Sequence, residues 1–275
     1  MTTSVKIIAD SISRLGNRIT TMEISAPYII WPQVLTHRAF SRNAQSNRAI
    51  PTSRLIQRVL ENPYNPVFRA NQKGMVAGKE LVTQEEALEI WDKARQQAIG
   101  AAQSMESLQV HKETVNRLLL PFMHITALVT ATEWENYFKL RIADDAQPEI
   151  QELAAKMRTS LFESSPKLLG TNEWHLPYVT ETGNIKDLIR LSTARCARVS
   201  YLTHDNTNPS VDDDLRLYDD LMSSDPIHGS PAEHPATPIS DALFDHSGTH
   251  KNWNGHKWGA NLRGWKSHRT VLERM

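Results

Sequence analysis

Apolar and polar positions alternate along the first part of the chain. Between Val5 and Ser25, β-branched residues are separated by polar ones, most clearly in Ile19-Thr20-Thr21-Met22-Glu23-Ile24-Ser25. That period of two predicts half-buried strands. Tyr28 to Leu35 is ambiguous because Pro32 interrupts it. A short helix is predicted at Ser53 to Leu60, and Asn62 to Lys79 reads as loop, with Asn62-Pro63 and Asn65-Pro66 as turn signals. Thr83-x-x-Glu86 reads as a capping box that opens a long helix with Leu88, Trp91, Ala98, Ala102 and Met105 as its apolar positions. The pattern resumes through Val115 and Leu119 until Pro121 ends or kinks it.

An apolar stretch from Ile125 to Tyr137 then leads to Lys139-Leu140-Arg141. Pro148 suits the first turn of the next helix, in which Ile150, Leu153, Ala154, Met157 and Leu161 share one face. Asn184 and Ser210, each with an aspartate three residues on, are predicted N-caps of two more helices. From Asp225 onward Pro, Gly, His and Trp are frequent and periodicity is weak, which predicts a loop-like tail suited to a binding surface. Strands first, long helices after and an irregular end predict an α+β fold.

Composition narrows the function. The 275 residues carry a formal net charge of +0 with 23% charged side chains, so no overall basic field gathers nucleic acid and any anion binding must be local. The single cysteine, Cys196, allows no internal disulfide and suits a reducing compartment. No signal peptide or membrane-length apolar run is recognised, so the expected location is cytoplasmic.

The stretch richest in chemistry is Thr36-His37-Arg38-Ala39-Phe40-Ser41-Arg42-Asn43-Ala44-Gln45-Ser46-Asn47-Arg48. It packs an imidazole, guanidiniums, hydroxyls and amides together with no acid, a composition that holds anions, since arginine forks match phosphate and neutral donors fix orientation. Its bland alternative is a solvated basic loop. A second constellation joins Arg117-Leu118-Leu119-Leu120-Pro121 to Asn136-Tyr137-Phe138-Lys139-Leu140-Arg141 and Ala146-Gln147-Pro148-Glu149. A third, Ala194 to Tyr201, reads as a helix end with an inert Cys196, since no local His or Asn would activate the thiol. A fourth is His228-Gly229-Ser230-Pro231-Ala232-Glu233-His234, with His246, His250 and His256 further on. Its spacings match no zinc motif, so turn and cap roles are expected and no metal.

Together these strings resemble the flavin-dependent thymidylate synthases, the family that makes thymidylate from dUMP without a cysteine nucleophile. The family signature R-H-R-x-x-S-x-N-x-x-S-x-R, with Gln three residues upstream, is met in register by Gln33, His37, Arg38, Ser41, Asn43, Ser46 and Arg48. The family's R-x-x-L-P is met by Arg117 to Pro121. Its N-F-L-x-L-R and A-Q-x-E-I resemble Asn136 to Arg141 and Ala146 to Ile150, and its A-R-V-S and H-x-S-P-F-E-H resemble Ala197 to Ser200 and His228 to His234.

The resemblance implies a single domain over residues 1–275 that mixes helices with an antiparallel sheet. It also implies FAD bound by His37, Arg38, Asn136, Ser230, Thr130 and Thr132, and dUMP bound by Gln33, Ser46, Arg48, Arg117 and Arg141. Arg141 would be the catalytic residue, stabilising uracil ionised at N3. Methylenetetrahydrofolate and NADPH would be co-substrates, and four subunits would share their sites.

Three departures accompany the resemblance. The A-R-V-S and H-x-S-P-F-E-H strings follow the signature instead of preceding it, as in a circular permutation. The first signature arginine is Thr36, and the glutamate after the signature asparagine is Ala44. The tail Asn261 to Arg269 partly echoes the approach to the signature. These departures leave open hydroxymethylation of dUMP or of a cytosine deoxynucleotide, and a non-catalytic nucleic-acid-binding role is the reading from another class.

Overall fold

The computed structural model describes residues 3–199, 209–239, 250–251 and 257–273. Strands β1 (Ser4–Ser13) and β2 (Arg18–Pro27) form an antiparallel hairpin where alternation predicted strands. Helix α1 (Trp31–Leu35) follows and carries Pro32 in its first turn, where the missing N–H has no helical partner to lose. Next come β3 (Ser41–Ala44), α2 (Thr52–Glu61), α3 (Gln84–Ser107), α4 (Lys112–Val115), a tight helical turn at Asn116–Phe122, and β4 (His124–Ala131). The chain continues through α5 (Glu135–Arg141), α6 (Pro148–Glu163), β5 (Lys167–Leu169), α7 (Ile185–Ala197) and α8 (Val211–Ser223). A helical turn at Ser230–Glu233 leads to β6 (Ala236–Pro238), β7 (His250–Lys251), β8 (Lys257–Gly259), β9 (Leu262–Arg263), β10 (Trp265–Ser267) and α9 (His268–Leu272).

The architecture is α+β. The main sheet runs β3-β4-β2-β1-β5, antiparallel except where β5 joins β1. β2 is buried along nearly its whole length, not half-buried as alternation predicts, because both faces of the sheet are covered. On one face Met22, Ile24 and Ala26 meet Ile125, Ala127 and Val129, and Trp31, Val34, Tyr137, Phe138, Leu153 and Met157 close over them. Truncating a wholly buried side chain such as Leu153 would cost ~2–5 kcal/mol. The other face carries Thr21, Glu23 and Ser25 on β2 and Thr126, Leu128 and Thr130 on β4, and Cys196 and Val199 at the end of α7 pack on Leu128.

Between these threonines lies a chain of buried polar groups. Ser11 Oγ bonds His175 Nδ1 (2.9 Å), His175 Nε2 bonds Thr21 Oγ1 (2.8 Å), Thr21 bonds Thr130 (2.6 Å), and Thr130 bonds His234 Nδ1 (2.8 Å). Burial drives the pKa of each imidazole down to about 3, so both rings are neutral.

Several local expectations hold. Asn184 accepts from Lys186 N, Ser210 forms a capping box with Asp213, and Pro148 sits in the first turn of α6 with the expected face buried. Others are corrected. Thr83 precedes α3 but makes no capping bond; Gln84 instead anchors the entry through Phe68 N and O. Leu88 is exposed, and the helical pattern resumes after α3 as the separate α4 and its helical turn.

Among the described residues the tail is not loop-like surface. β10 pairs with β6, Trp265 is fully buried, and its Nε1 donates to Asn17 O at 3.1 Å. Gly264 stands at φ +74 with the Asn17 side chain so close that a Cβ would overlap it, so only glycine serves there. Ser200, Tyr201, His246 and His256, and the side chain of His250, lie outside the described residues.

Candidate functional site

The Thr36–Arg48 run begins at the end of α1 and crosses the sheet edge as β3. Arg42 Nη1 donates to Leu35 O (2.6 Å) and His37 O (3.2 Å), holding the turn that presents His37. Asn43 Nδ2 donates to Cys196 O at 2.7 Å and binds the strand to α7. Asn261 of the tail donates to Ala39 O (3.1 Å) and Ser41 Oγ (3.0 Å), so the tail that echoes the signature braces it.

At the start of the run the structure gathers residues from three segments around Arg141. This guanidinium donates from Nε to His37 Nε2 (3.0 Å), from Nη1 to Gln33 Oε1 (3.4 Å), and from Nη2 to Thr36 Oγ1 (3.2 Å). Gln33 Nε2 in turn donates to Gln147 Oε1 at 2.6 Å. Thr36, where the family has arginine, is an uncharged acceptor in this cradle. Arg141 has no carboxylate in ion-pair range among the described residues. His37 packs edge-on to Tyr137, and burial, with the charges of Arg141 and Arg42, lowers its pKa, so the ring is neutral. A neutral ring beside an unpaired guanidinium leaves positive charge free for an anion.

The end of the run forms a second patch. Asn116, wholly buried, donates from Nδ2 to Asn47 O (2.7 Å) and Ile50 O (3.0 Å), and Lys112 Nζ donates to Ala49 O (3.0 Å). The loop carrying half-buried Ser46 and exposed Arg48 is thus fastened beside exposed Arg117, whose Nε donates to Glu113 O.

The remaining candidates stand apart from the Arg141 cluster. Arg38, Asn136 and Ser230 are exposed. Thr132 Oγ1 accepts from Arg263 N, and Thr130 is wholly buried with its hydroxyl engaged by Thr21 and His234. The string around Ser230 does meet the signature, since its helical turn packs on β3. Cys196 is buried, and burial raises its pKa, so it is no nucleophile. No group of three metal-ligating side chains occurs among the described residues.

Sequence reasoning gave no role to Gln147, Arg42 or Asn116. Gln147 stood inside the A-Q-x-E-I string and Arg42 inside the run itself. Asn116 preceded Arg117 without any pattern to mark it.

On the opposite face of the sheet from Arg141 lies a cavity of about 740 Å³, reached by the same run through Gln45. Its walls include Glu23 on β2, Arg58 on α2, His124 on β4 and Arg198 on α7. Tyr178, also in the wall, has φ +63, a costly conformation for an aromatic residue, of order 1–3 kcal/mol. It is held by Arg195 Nη1 at its carbonyl (2.7 Å) and by its own hydroxyl donating to Glu23 Oε2 (2.5 Å). Asp214 is almost wholly buried between Arg195 Nε (3.0 Å) and Arg198 Nε (2.6 Å).

A largely antiparallel sheet covered by helices, with a guanidinium cradled at its edge by neutral acceptors, defines an α+β protein with an uncompensated cation beside the signature run. A sequence profile of the family described as thymidylate synthase complementing protein matches residues 17–167, more than half of the chain, and the chain belongs to that family. Among solved structures it is similar to the UMP/dUMP methylase PolB from Streptomyces cacaoi. Bound with 5-Br UMP, that structure is 14% identical at TM-score 0.46, covering 57% of this chain and 87% of PolB. Bound with 5-Br dUMP, it is 15% identical at TM-score 0.46, covering 57% of this chain and 89% of PolB. No curated protein sequence matches.

Proposed function

We propose that this protein is a flavin-dependent enzyme that methylates dUMP at C5 to give thymidylate, with methylenetetrahydrofolate as carbon donor and NADPH as the source of electrons. Arg141 carries this reading: a guanidinium held by His37, Gln33 and Thr36 with no counter-ion is poised to stabilise uracil ionised at N3. Ionisation there raises electron density at C5, which attacks the one-carbon unit; C5 then loses its proton and the carbon–nitrogen bond to the carrier breaks, releasing tetrahydrofolate and leaving a methylene that one hydride converts to methyl. Gln33 orients the base, Ser46 orients the nucleotide, and Arg48 and Arg117 grip its phosphate.

The donor set suits FAD. Arg38, Asn136 and Ser230 present polar groups at the surface with no partner among the described residues, and neutral His37 precedes Arg38 in sequence. Thr130 and Thr132, at the end of β4, complete the set we assign to the flavin. Bound flavin would supply the hydride that completes the methyl group. The exposure of Arg38, Arg48, Arg117, Asn136 and Ser230 favours sites completed between subunits, and we propose a homotetramer of single-domain chains acting in the cytoplasm, with nucleotides rather than nucleic acid as ligands. Among the described residues no helix is long and apolar enough to cross a membrane.

The test is incubation of the reduced protein with dUMP and methylenetetrahydrofolate, with the product read by mass. Thymidylate is expected. A hydroxymethylated product, or reaction with dCMP alone, would move the reading to the variant suggested by Thr36 and Ala44. Absence of any C5-modified product, together with failure to take up FAD, would remove it.

A further inference from the structure

We infer that the tail segment 261–269 assembles the flavin surface, with Asn261, Arg263 and Arg269 as positioning residues that tie together three of the segments given to FAD. The inference rests on the assignment of the cofactor to His37 and Arg38, to Thr130 and Thr132, and to Ser230. Family membership rests on residues 17–167, so it assigns the tail nothing.

The tail backbone is anchored first. Leu262 and Trp265 are wholly buried with Ile19, Leu169 and Ala236, β10 pairs with β6, and His268 N donates to Pro235 O at 2.8 Å. Side chains on a backbone already fixed lose less freedom when they bond a neighbour, so such bonds hold that neighbour in place. Core packing alone would need none of the polar links described next, since Leu262 and Trp265 already close the tail on the sheet.

Each link reaches a different segment. Asn261 lies in the two-residue turn between β8 and β9, where Ala260 stands at φ +56. A hairpin tip ordinarily faces water, yet this amide donates to Ala39 O and Ser41 Oγ, just past Arg38, in the turn where Arg42 already bonds His37 O. Arg263 N donates to Thr132 Oγ1 at 2.9 Å, and Arg263 Nε pairs with Glu133 Oε1 at 2.6 Å. A hydroxyl that accepts there keeps its own proton to donate to a ligand. Arg269 Nη1 donates to Glu233 Oε1 at 2.7 Å, and a Cβ at Gly229 would stand 3.1 Å from Arg269 Nε, so the guanidinium lies against the turn that carries Ser230. The nucleotide end of the signature run has separate fastenings, from Asn116 to Asn47 O and Ile50 O and from Lys112 to Ala49 O. Loss of the tail links should therefore loosen the flavin and spare dUMP.

The test titrates full-length protein with FAD, read by flavin fluorescence, and measures amide hydrogen exchange without the cofactor. Asn261→Ala and Arg269→Gln are each expected to weaken FAD binding about tenfold. In the cofactor-free protein, exchange should quicken at Phe40 N in the first variant and at Ala232 N in the second, both hydrogen-bonded in the turns they brace. Affinity for dUMP at saturating FAD should stay within about twofold, with matching thermal midpoints. Arg269→Lys, which keeps a cation for Glu233, should recover most of the lost FAD affinity. Unchanged FAD affinity in both variants overturns the inference, and so does an equal loss of FAD and dUMP affinity with a lowered midpoint, which a merely structural tail would give. Failure of the unaltered protein to take up FAD removes the flavin reading and this inference with it, whereas uptake undiminished in the variants removes this inference alone.

Discussion

Arg141 Nε donates to His37 Nε2 at 3.0 Å, and a guanidinium can only donate, so that ring nitrogen must keep its lone pair. Protonating His37 would set two cations against each other. Arg141→Ala is therefore expected to lower turnover about 10²–10³-fold, as for loss of one preorganised donor to developing negative charge, with flavin retention largely spared. His37→Ala should instead weaken flavin retention. Equal, small effects of both on turnover and on flavin absorbance would contradict the assigned roles.

Gln147 acts through Gln33. Its Oε1 accepts from Gln33 Nε2 at 2.6 Å, which turns the other end of that amide toward Arg141. Gln147→Leu should lower kcat more than it raises KM for dUMP, while Gln147→Glu, which keeps an acceptor, should recover most of the loss. A purely structural role would give equal effects in both variants and a lowered Tm.

Asn116 closes two carbonyls with one amide in a wholly buried position. Asn116→Ala strands both, at a cost of about 2–3 kcal/mol, and frees the loop carrying Ser46 and Arg48. The expected readout is a lower urea midpoint and a raised KM for dUMP. An unchanged midpoint would show that water replaces the amide at no cost.

Stability should fall in mild acid. His175 and His234 are held near about 3 and His268 near about 4 by burial, all below their ordinary value of 6.5. The unfolded chain takes up these protons first. Stability is thus complete above about pH 6.5 and declines as pH drops toward the folded values, by roughly 1.4 kcal/mol per pH unit for each ring. Urea midpoints measured between about pH 7 and 4 should drop steeply, and His268→Gln should shallow the slope. A flat profile would show that the rings are charged in the fold.

Much of this was legible in the sequence where one local rule decides the outcome. Alternation found the strands, Pro148 and Ser210 marked helix starts, and the family resemblance singled out Gln33, His37 and Arg141, which the fold brings together. What escaped depends on distant partners. Nothing local says that Trp265 is buried against Asn17, that Thr130 is spent between Thr21 and His234, or that Gln147 meets Gln33 across more than a hundred residues. The cavity escaped for the same reason, since its walls come from strands and helices far apart in the chain.

The buried chain from Ser11 to His234 has one further consequence. Each hydroxyl has a single proton to give, so the hydrogen bonds through Thr21 and Thr130 must all run in one direction if none is wasted. With Ser11 donating, His175 and His234 both carry hydrogen on Nε2; with the order reversed, both carry it on Nδ1. The two imidazoles on either side of the threonine pair are then matched in tautomer, and a change at one ring is copied at the other without any movement of the backbone.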